Sequence, residues 1–76
     1  MAQIPMPEDC FLRGLESPFT RGGEKVYRSP KGKYLYTWDA MHGHVEVFDA
    51  HGYHIGVVDK SGRLIGDDVP GRKIDV

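Results

Sequence analysis

From Lys25 onward, hydrophobic and polar residues alternate with a period of two, the pattern of half-buried β-strands and not of helices. The alternation predicts strands over Glu24 to Arg28, Tyr34 to Asp39, His44 to Ala50, His54 to Asp59, Arg63 to Gly66 and Lys73 to Val76. Turn chemistry separates them at Pro30-Lys31-Gly32, His42-Gly43, His51-Gly52 and Ser61-Gly62. Loops this short join successive strands as antiparallel neighbours. The expected fold class is mainly β: a small, highly twisted antiparallel meander with a short N-terminal helix or irregular segment.

The chain echoes itself, since Phe48-Asp49-x-x-Gly52-x-x-Ile55-Gly56 returns as Val58-Asp59-x-x-Gly62-x-x-Ile65-Gly66. An aspartate at a turn's start hydrogen-bonds the backbone and a glycine accepts positive φ, so the echo reports hairpin construction. Residues 1–23 differ from the region 24–76 that follows. They hold three prolines, a helix expected over Pro7 to Leu15 and a Gly22-Gly23 joint. Pro7 suits the first helical position, and Glu8 and Asp9 suit the first turn. Three readings stand for this segment: a lid packed on the sheet through Ile4, Phe11, Leu12, Leu15 and Phe19, a partner-binding arm, or the remnant of a linker.

Composition narrows the function. A chain of 76 residues buries only roughly 60 to 65% of the surface that its unfolded form exposes, which fits one small domain. No apolar run approaches the roughly 20 residues of a membrane span, so no membrane contact is expected. Met1-Ala2-Gln3-Ile4-Pro5-Met6-Pro7 lacks the cationic start and apolar centre of a secretory signal. The lone Cys10 reads as a small packed thiol. Formal net charge is −1, but its distribution is uneven. Arg21, Lys25, Arg28, Lys31 and Lys33 face one acid, Glu24, whereas acids dominate from Asp39 onward. The basic stretch reads either as a phosphate-facing patch or as a charged edge that resists aggregation.

Chemistry concentrates on one predicted hairpin. Tyr36-Thr37-Trp38-Asp39-Ala40-Met41-His42-Gly43-His44-Val45-Glu46, answered by Arg72, gathers acid, base and cation. Metal-free cleavage of RNA requires that set: a proton leaves the 2′-hydroxyl, another reaches the departing 5′-oxygen, and a fixed cation meets the charge growing on the phosphoryl oxygens. Asp39 also reads as a plain turn cap, and Tyr36 and Trp38 as core aromatics or as platforms for a base. On its strand, Glu46 shares a face with His44 and Phe48 and is expected to look outward, opposite Val45 and Val47. His42-x-His44 and His51-x-x-His54 offer imidazoles to zinc or copper. No cysteine or carboxylate set accompanies them at accepted spacing, so no metal ligand or cofactor is assigned.

Lys31-Gly32-Lys33, Tyr36-x-Trp38-Asp39-x-x-His42-Gly43-x-x-Glu46, Gly52-x-His54-x-Gly56, Asp59, Gly62, Gly66 and Arg72-x-Ile74 together resemble the cytotoxic ribonuclease domains of the colicin E3 type, from about Glu24 to Ile74. The resemblance implies a bacterial toxin domain that cuts 16S ribosomal RNA in the decoding centre of the 30S subunit, acting on RNA and not DNA, and a small acidic immunity protein as its second partner. It further implies the C-terminal effector domain of a secreted or cell-surface-delivered toxin that works in the target-cell cytoplasm, so Met1 is not expected to be the natural start. In that light Asp39, His42, Glu46 and Arg72 are the expected catalytic residues, and Tyr36, Trp38, Phe48, Lys31 and Lys33 the expected substrate contacts. Glu46 would accept the 2′-hydroxyl proton, His42 would donate to the 5′-oxygen, Arg72 would stabilise the phosphoryl charge and Asp39 would orient His42. The division of acid and base roles among Asp39, His42 and Glu46 stays open, because their titrations would be coupled. Three features depart from the pattern: Phe48 stands for a tyrosine, Ile65 for a lysine, and the acids Asp67-Asp68 precede Arg72. The rival reading is a non-catalytic β-meander that binds RNA or protein through its basic edge.

Overall fold

The structure, a computed structural model, describes residues 3–76. Six strands run in chain order across one open antiparallel sheet: β1 (Glu16–Arg21), β2 (Glu24–Arg28), β3 (Tyr34–Asp39), β4 (His44–Asp49), β5 (His54–Val58) and β6 (Leu64–Gly66). The expected meander is present, and β2 to β6 fall within a residue or so of the boundaries read from the alternation. No helix among the described residues is long and apolar enough to cross a membrane.

Three consecutive turns share one device. Asp39, Asp49 and Asp59 each accept, through one carboxylate oxygen, two backbone N–H groups of the turn that follows: Met41 and His42, His51 and Tyr53, Ser61 and Arg63. Gly43, Gly52 and Gly62 close these turns with positive φ and donate back to the carbonyl of the same aspartate. Short polar side chains that mimic a backbone turn, followed by glycine, explain why the sequence repeats there.

Two segments differ from the alternation. β1 was not expected: its only half-buried side chain is Phe19, it contains Pro18, and it pairs with β2 through an irregular register between Glu16 and Phe19. A proline and a bulge are tolerated on an edge strand, and both erase the period-two signal. At the other end, Lys73 to Val76 is not a strand; Tyr53 and Lys73 form an isolated bridge. The helix expected over Pro7 to Leu15 is a single 3-10 turn, Phe11–Gly14, preceded by a separate turn in which Cys10 N–H meets the Pro7 carbonyl. A helix this short has little stability of its own, and the segment is ordered by docking. Leu12 and Cys10 are buried against the sheet, Trp38 Nε1 donates to the Ile4 carbonyl, and Ile4 N–H meets the carbonyl of Ala40.

The sheet therefore carries a core on each face. Val45, Val47 and Val58 pack beneath Cys10 and Leu12, with Tyr27, Tyr34, Tyr36 and Trp38 around them. On the opposite face Val26, Leu35 and Phe48 pack with Phe19 and Ile74. β4 lies at the centre and is buried on both sides, which corrects the expectation that Glu46 looks out to solvent: it is 5% exposed. What covers it is the return of residues 67–76 over that face. This tail is pinned where His54 N–H meets the Arg72 carbonyl (3.0 Å), Ile74 N–H meets the Gly52 carbonyl (2.8 Å), and Arg21 Nε donates to the Asp75 carbonyl (2.6 Å).

Gly52 is the tightest of these joints, with φ +93° and with the Ile74 carbonyl oxygen where a Cβ would stand. A left-handed side chain costs roughly 1 to 2 kcal/mol before any clash. Gly52→Ala is accordingly expected to lower the thermal midpoint by at least about 4 °C for a domain of this size. An unchanged midpoint in scanning calorimetry would show that the tail does not depend on this contact.

Candidate active site

The pairing of β3 with β4 sets Thr37 opposite Glu46 and Asp39 opposite His44. Because side chains alternate across a strand, Asp39, His44 and Glu46 project from the same face. The next pairing sets Val47 opposite Gly56 but Phe48 opposite His54, so the register slips by one residue. That slip rotates His54 onto the Glu46 side, where its ring is fully buried and packs edge-on against Phe48 at 5.3 Å.

Glu46 is held from two directions. Its Oε2 accepts His54 Nε2 at 2.8 Å, and its Oε1 accepts Arg72 Nη1 at 2.8 Å. His54 Nδ1 receives the Val69 backbone N–H at 2.9 Å. An amide can only donate, so Nδ1 must accept and the ring proton sits on Nε2, aimed at the carboxylate. The ring is thus fixed in orientation, Nε2 to the carboxylate and Nδ1 to one backbone amide of the tail. Among the described residues no buried side-chain polar atom lacks a partner. Arg72 spans from this contact toward water: its side chain is 45% exposed and its guanidinium carbon lies 5.8 Å from the centre of the Phe48 ring.

A second unit adjoins the first. Asp39 uses Oδ1 for its turn and Oδ2 for His42 Nδ1 at 2.7 Å, so capping and site roles coincide in one side chain. The His42 side chain is 60% exposed, leaving its other nitrogen free to face a ligand. His44 stands between the units, with Nε2 3.3 Å from Asp39 Oδ2 and 3.8 Å from Glu46 Oε1, and its ring stacks on that of His42. Thr37, Asp39, His42, Glu46 and Arg72 line one open cleft of about 360 Å³.

Opposing effects set the charges. Burial on its own would raise the Glu46 carboxyl, but the hydrogen bonds from His54 and Arg72 and the guanidinium charge outweigh it and hold the group below its ordinary value. Burial likewise pushes Asp39 upward, and the His42 contact with the Met41 and His42 amides brings it down. Both carboxylates are therefore ionised at neutral pH. For Glu46 the linkage follows: its folded pKa lies below the unfolded value, so it contributes stability above about pH 4.5, lost as pH falls through the depressed value.

Of the residues expected from the sequence, Asp39, His42, Glu46 and Arg72 come together. Tyr36 does not join them: it pairs with Val47 on the other face and meets Phe11 edge-on at 5.2 Å. Trp38 borders the cleft, but it pairs with Val45 and its indole is bonded to Ile4. Phe48 is wholly buried and presents no surface to a base. Lys31 and Lys33 lie beyond the Tyr34 end of β3, roughly 17 Å of strand away from Asp39. A larger furrow of about 560 Å³ runs past Arg28 and Lys31 there; its ionisable lining is the exposed Glu16–Arg28 ion pair and Lys31, with no histidine. His44 was not among the expected site residues, yet it belongs to the cluster; its place two residues before Glu46 on one face was the available signal. The His54 contact depends on the slipped register, which no spacing reveals. Asp39, His42 and His44 also bring one ligand atom each within 4.8 Å of one another, supplying the carboxylate that the linear spacing of the histidines lacked.

A family model described as Cytotoxic matches residues 8–75, a span that includes the 3-10 turn and β1 as well as the site. No curated protein matches the chain at a significant level.

Because Arg72 pulls the Glu46 carboxyl down against burial, Arg72→Met is expected to raise its titration midpoint, followed through the carboxyl carbon by NMR. An unmoved or lowered midpoint would contradict the charge balance described.

Proposed function

The chain belongs to the Cytotoxic family of toxin domains, and on that premise we propose that it is a metal-independent endoribonuclease that cuts 16S ribosomal RNA at the decoding site of the 30S subunit. The observation that carries this reading is a buried, ionised carboxylate gripped by a cation, set beside an aspartate–histidine pair in the same cleft. Those are the groups that transesterification of RNA needs, and apart from the turn amides that Asp39 Oδ1 collects, closing a hairpin requires none of these contacts.

Glu46 accepts the proton of the 2′-hydroxyl as that oxygen attacks the adjacent phosphorus. A carboxylate held below its ordinary value is a weak base while Arg72 grips it. An incoming phosphodiester competes for the guanidinium, whose planar fork suits phosphoryl oxygens, and drawing Arg72 toward the phosphate restores basicity to Glu46 as charge develops. His54 stays behind Glu46 and fixes its orientation. On the other side, Asp39 holds His42 by Nδ1 and stabilises its imidazolium, which gives a proton from Nε2 to the departing 5′-oxygen. The bond to the 5′-oxygen breaks as the bond to the 2′-oxygen forms, leaving a 2′,3′-cyclic phosphate and a 5′-hydroxyl.

Substrate contacts follow the placement of charge. Lys31 and Lys33 would steer the RNA backbone at a distance from the cut, and the exposed edge of Trp38 is the aromatic surface nearest the cleft. The basic end is also where a small acidic immunity protein would dock, with attraction strongest at low salt. In the cell, the domain would act in the cytoplasm of a target bacterium after delivery by a larger toxin.

Incubation of the chain with intact bacterial ribosomes and a chelator is expected to release one 3′ fragment of 16S RNA. Glu46→Gln should slow that cut by about 10² to 10⁴, the usual contribution of a proton-transfer group, while Lys31→Ala should slow it only mildly. Intact RNA from folded wild-type protein would overturn the ribonuclease reading and favour a binding module.

A further inference from the structure

Asp39 Oδ2 is hydrogen-bonded to one imidazole and has a second beside it. His42 Nδ1 lies 2.7 Å from this oxygen and His44 Nε2 3.3 Å, from rings 5.3 Å apart and within 12° of parallel. The three ligand atoms lie within 4.8 Å of one another, but the in-plane lone pairs of near-parallel stacked rings do not meet at one point, so a shared ion requires the exposed His42 ring to turn toward His44. Around a tetrahedral zinc ion with bonds of about 2.0 to 2.1 Å, neighbouring ligand atoms stand roughly 3.3 to 3.4 Å apart. The His44 to Asp39 separation already meets that spacing. The His42 contact must open by about 0.6 Å on the same estimate, and His42 is an exposed turn residue.

The surroundings favour the same assignment. Asp39 Oδ1 is tied to the amides of Met41 and His42, which orients the carboxylate as outer-shell bonds do in metal sites. Glu46 Oε1, 3.8 Å from His44 Nε2, is occupied by Arg72, so a fourth position is left to water from the cleft. Two imidazoles with one carboxylate select late first-row divalent ions such as Zn²⁺, Cu²⁺ or Ni²⁺, and not Mg²⁺ or Ca²⁺, which prefer oxygen.

We propose that Asp39, His42 and His44 form a three-ligand site for a late first-row divalent cation, and that its occupancy silences the nuclease. The silencing half rests on the proposed ribonuclease function. A metal ion on His42 Nδ1 replaces the proton that makes the ring an imidazolium and takes Asp39 as a ligand, so neither residue remains available for transfer to the 5′-oxygen. Zinc acts here as an inhibitor, with Glu46 and Arg72 untouched.

The test titrates untagged, metal-stripped protein with Zn²⁺ by calorimetry and with Cu²⁺ by electron paramagnetic resonance, and measures ribosome cleavage with and without Zn²⁺. One equivalent of Zn²⁺ should bind, and the Cu²⁺ spectrum should show two coordinated imidazole nitrogens. Losing even an outer-shell partner commonly weakens metal binding about 10- to 100-fold, so His44→Asn should weaken it at least that much while His51→Asn leaves it unchanged. Zn²⁺ should stop cleavage by the wild type and affect the His44→Asn variant far less, relative to its own metal-free rate. Absence of stoichiometric binding, equal binding by His44→Asn, or a Cu²⁺ spectrum without two nitrogens would overturn the site. Full cleavage by zinc-saturated protein would overturn silencing. If the metal-free wild type does not cut at all, the ribonuclease reading and the silencing fall together, while calorimetry still decides the site.

Discussion

Much of this molecule depends on a single buried carboxylate. Glu46 sits at the centre of the central strand, where an isolated charge would be costly, and it is tolerated because His54 and Arg72 each satisfy one of its oxygens. These two contacts reach different parts of the chain. His54 fastens β4 to β5 and, through Val69, to the returning tail; Arg72 fastens the tail directly. The fold therefore closes around the group that the proposed chemistry uses. A chain with so little core gains by letting one polar cluster serve both needs, and the cleft stays open because Arg72 is only half covered.

Asp39 makes the same economy at smaller scale. Asp49 and Asp59 show what an aspartate in this turn does when it only folds the chain: one oxygen collects the turn amides. Asp39 does that and turns its second oxygen toward His42 and His44. The site thus stands on a hairpin motif that the chain repeats for structural reasons; His51 and His54 also follow Asp49, and what distinguishes the Asp39 copy is the meeting of its second oxygen with His42 and His44. The same three side chains, their ligand atoms within 4.8 Å of one another, make up the proposed metal site.

Local rules read most of the sheet correctly because its turns are short and its strands alternate. They failed where packing overrides pattern. β1 is an edge strand with Pro18 and an irregular register, so its period is hidden, and Phe11–Gly14 is shaped by Leu12 docking and not by helical spacing. The four residues Asp39, His42, Glu46 and Arg72 were legible as a set, from their chemistry and from the family likeness, although 26 positions separate Glu46 and Arg72. The burial of Glu46 was not legible, since alternation assigned it to a solvent face and only the tail's path covers that face. Nor was the role of His54, which rests on a one-residue register slip between β4 and β5. Tyr36 and Phe48 were expected near substrate as aromatics and from the family likeness; the β3–β4 register puts Tyr36 on the face opposite Glu46, and Phe48, on the Glu46 face, is buried in the core that includes Ile74 of the tail.

The central claim is that the RNA's own 2′-hydroxyl, deprotonated at Glu46, is the nucleophile. The most direct measurement is the chemistry of the ends left by the cut, determined by mass spectrometry of the short fragment and its partner after brief digestion of ribosomes in the presence of chelator. A 2′,3′-cyclic phosphate facing a 5′-hydroxyl is the predicted result. A 3′-hydroxyl facing a 5′-phosphate would mean that water attacked instead, and would contradict the mechanism.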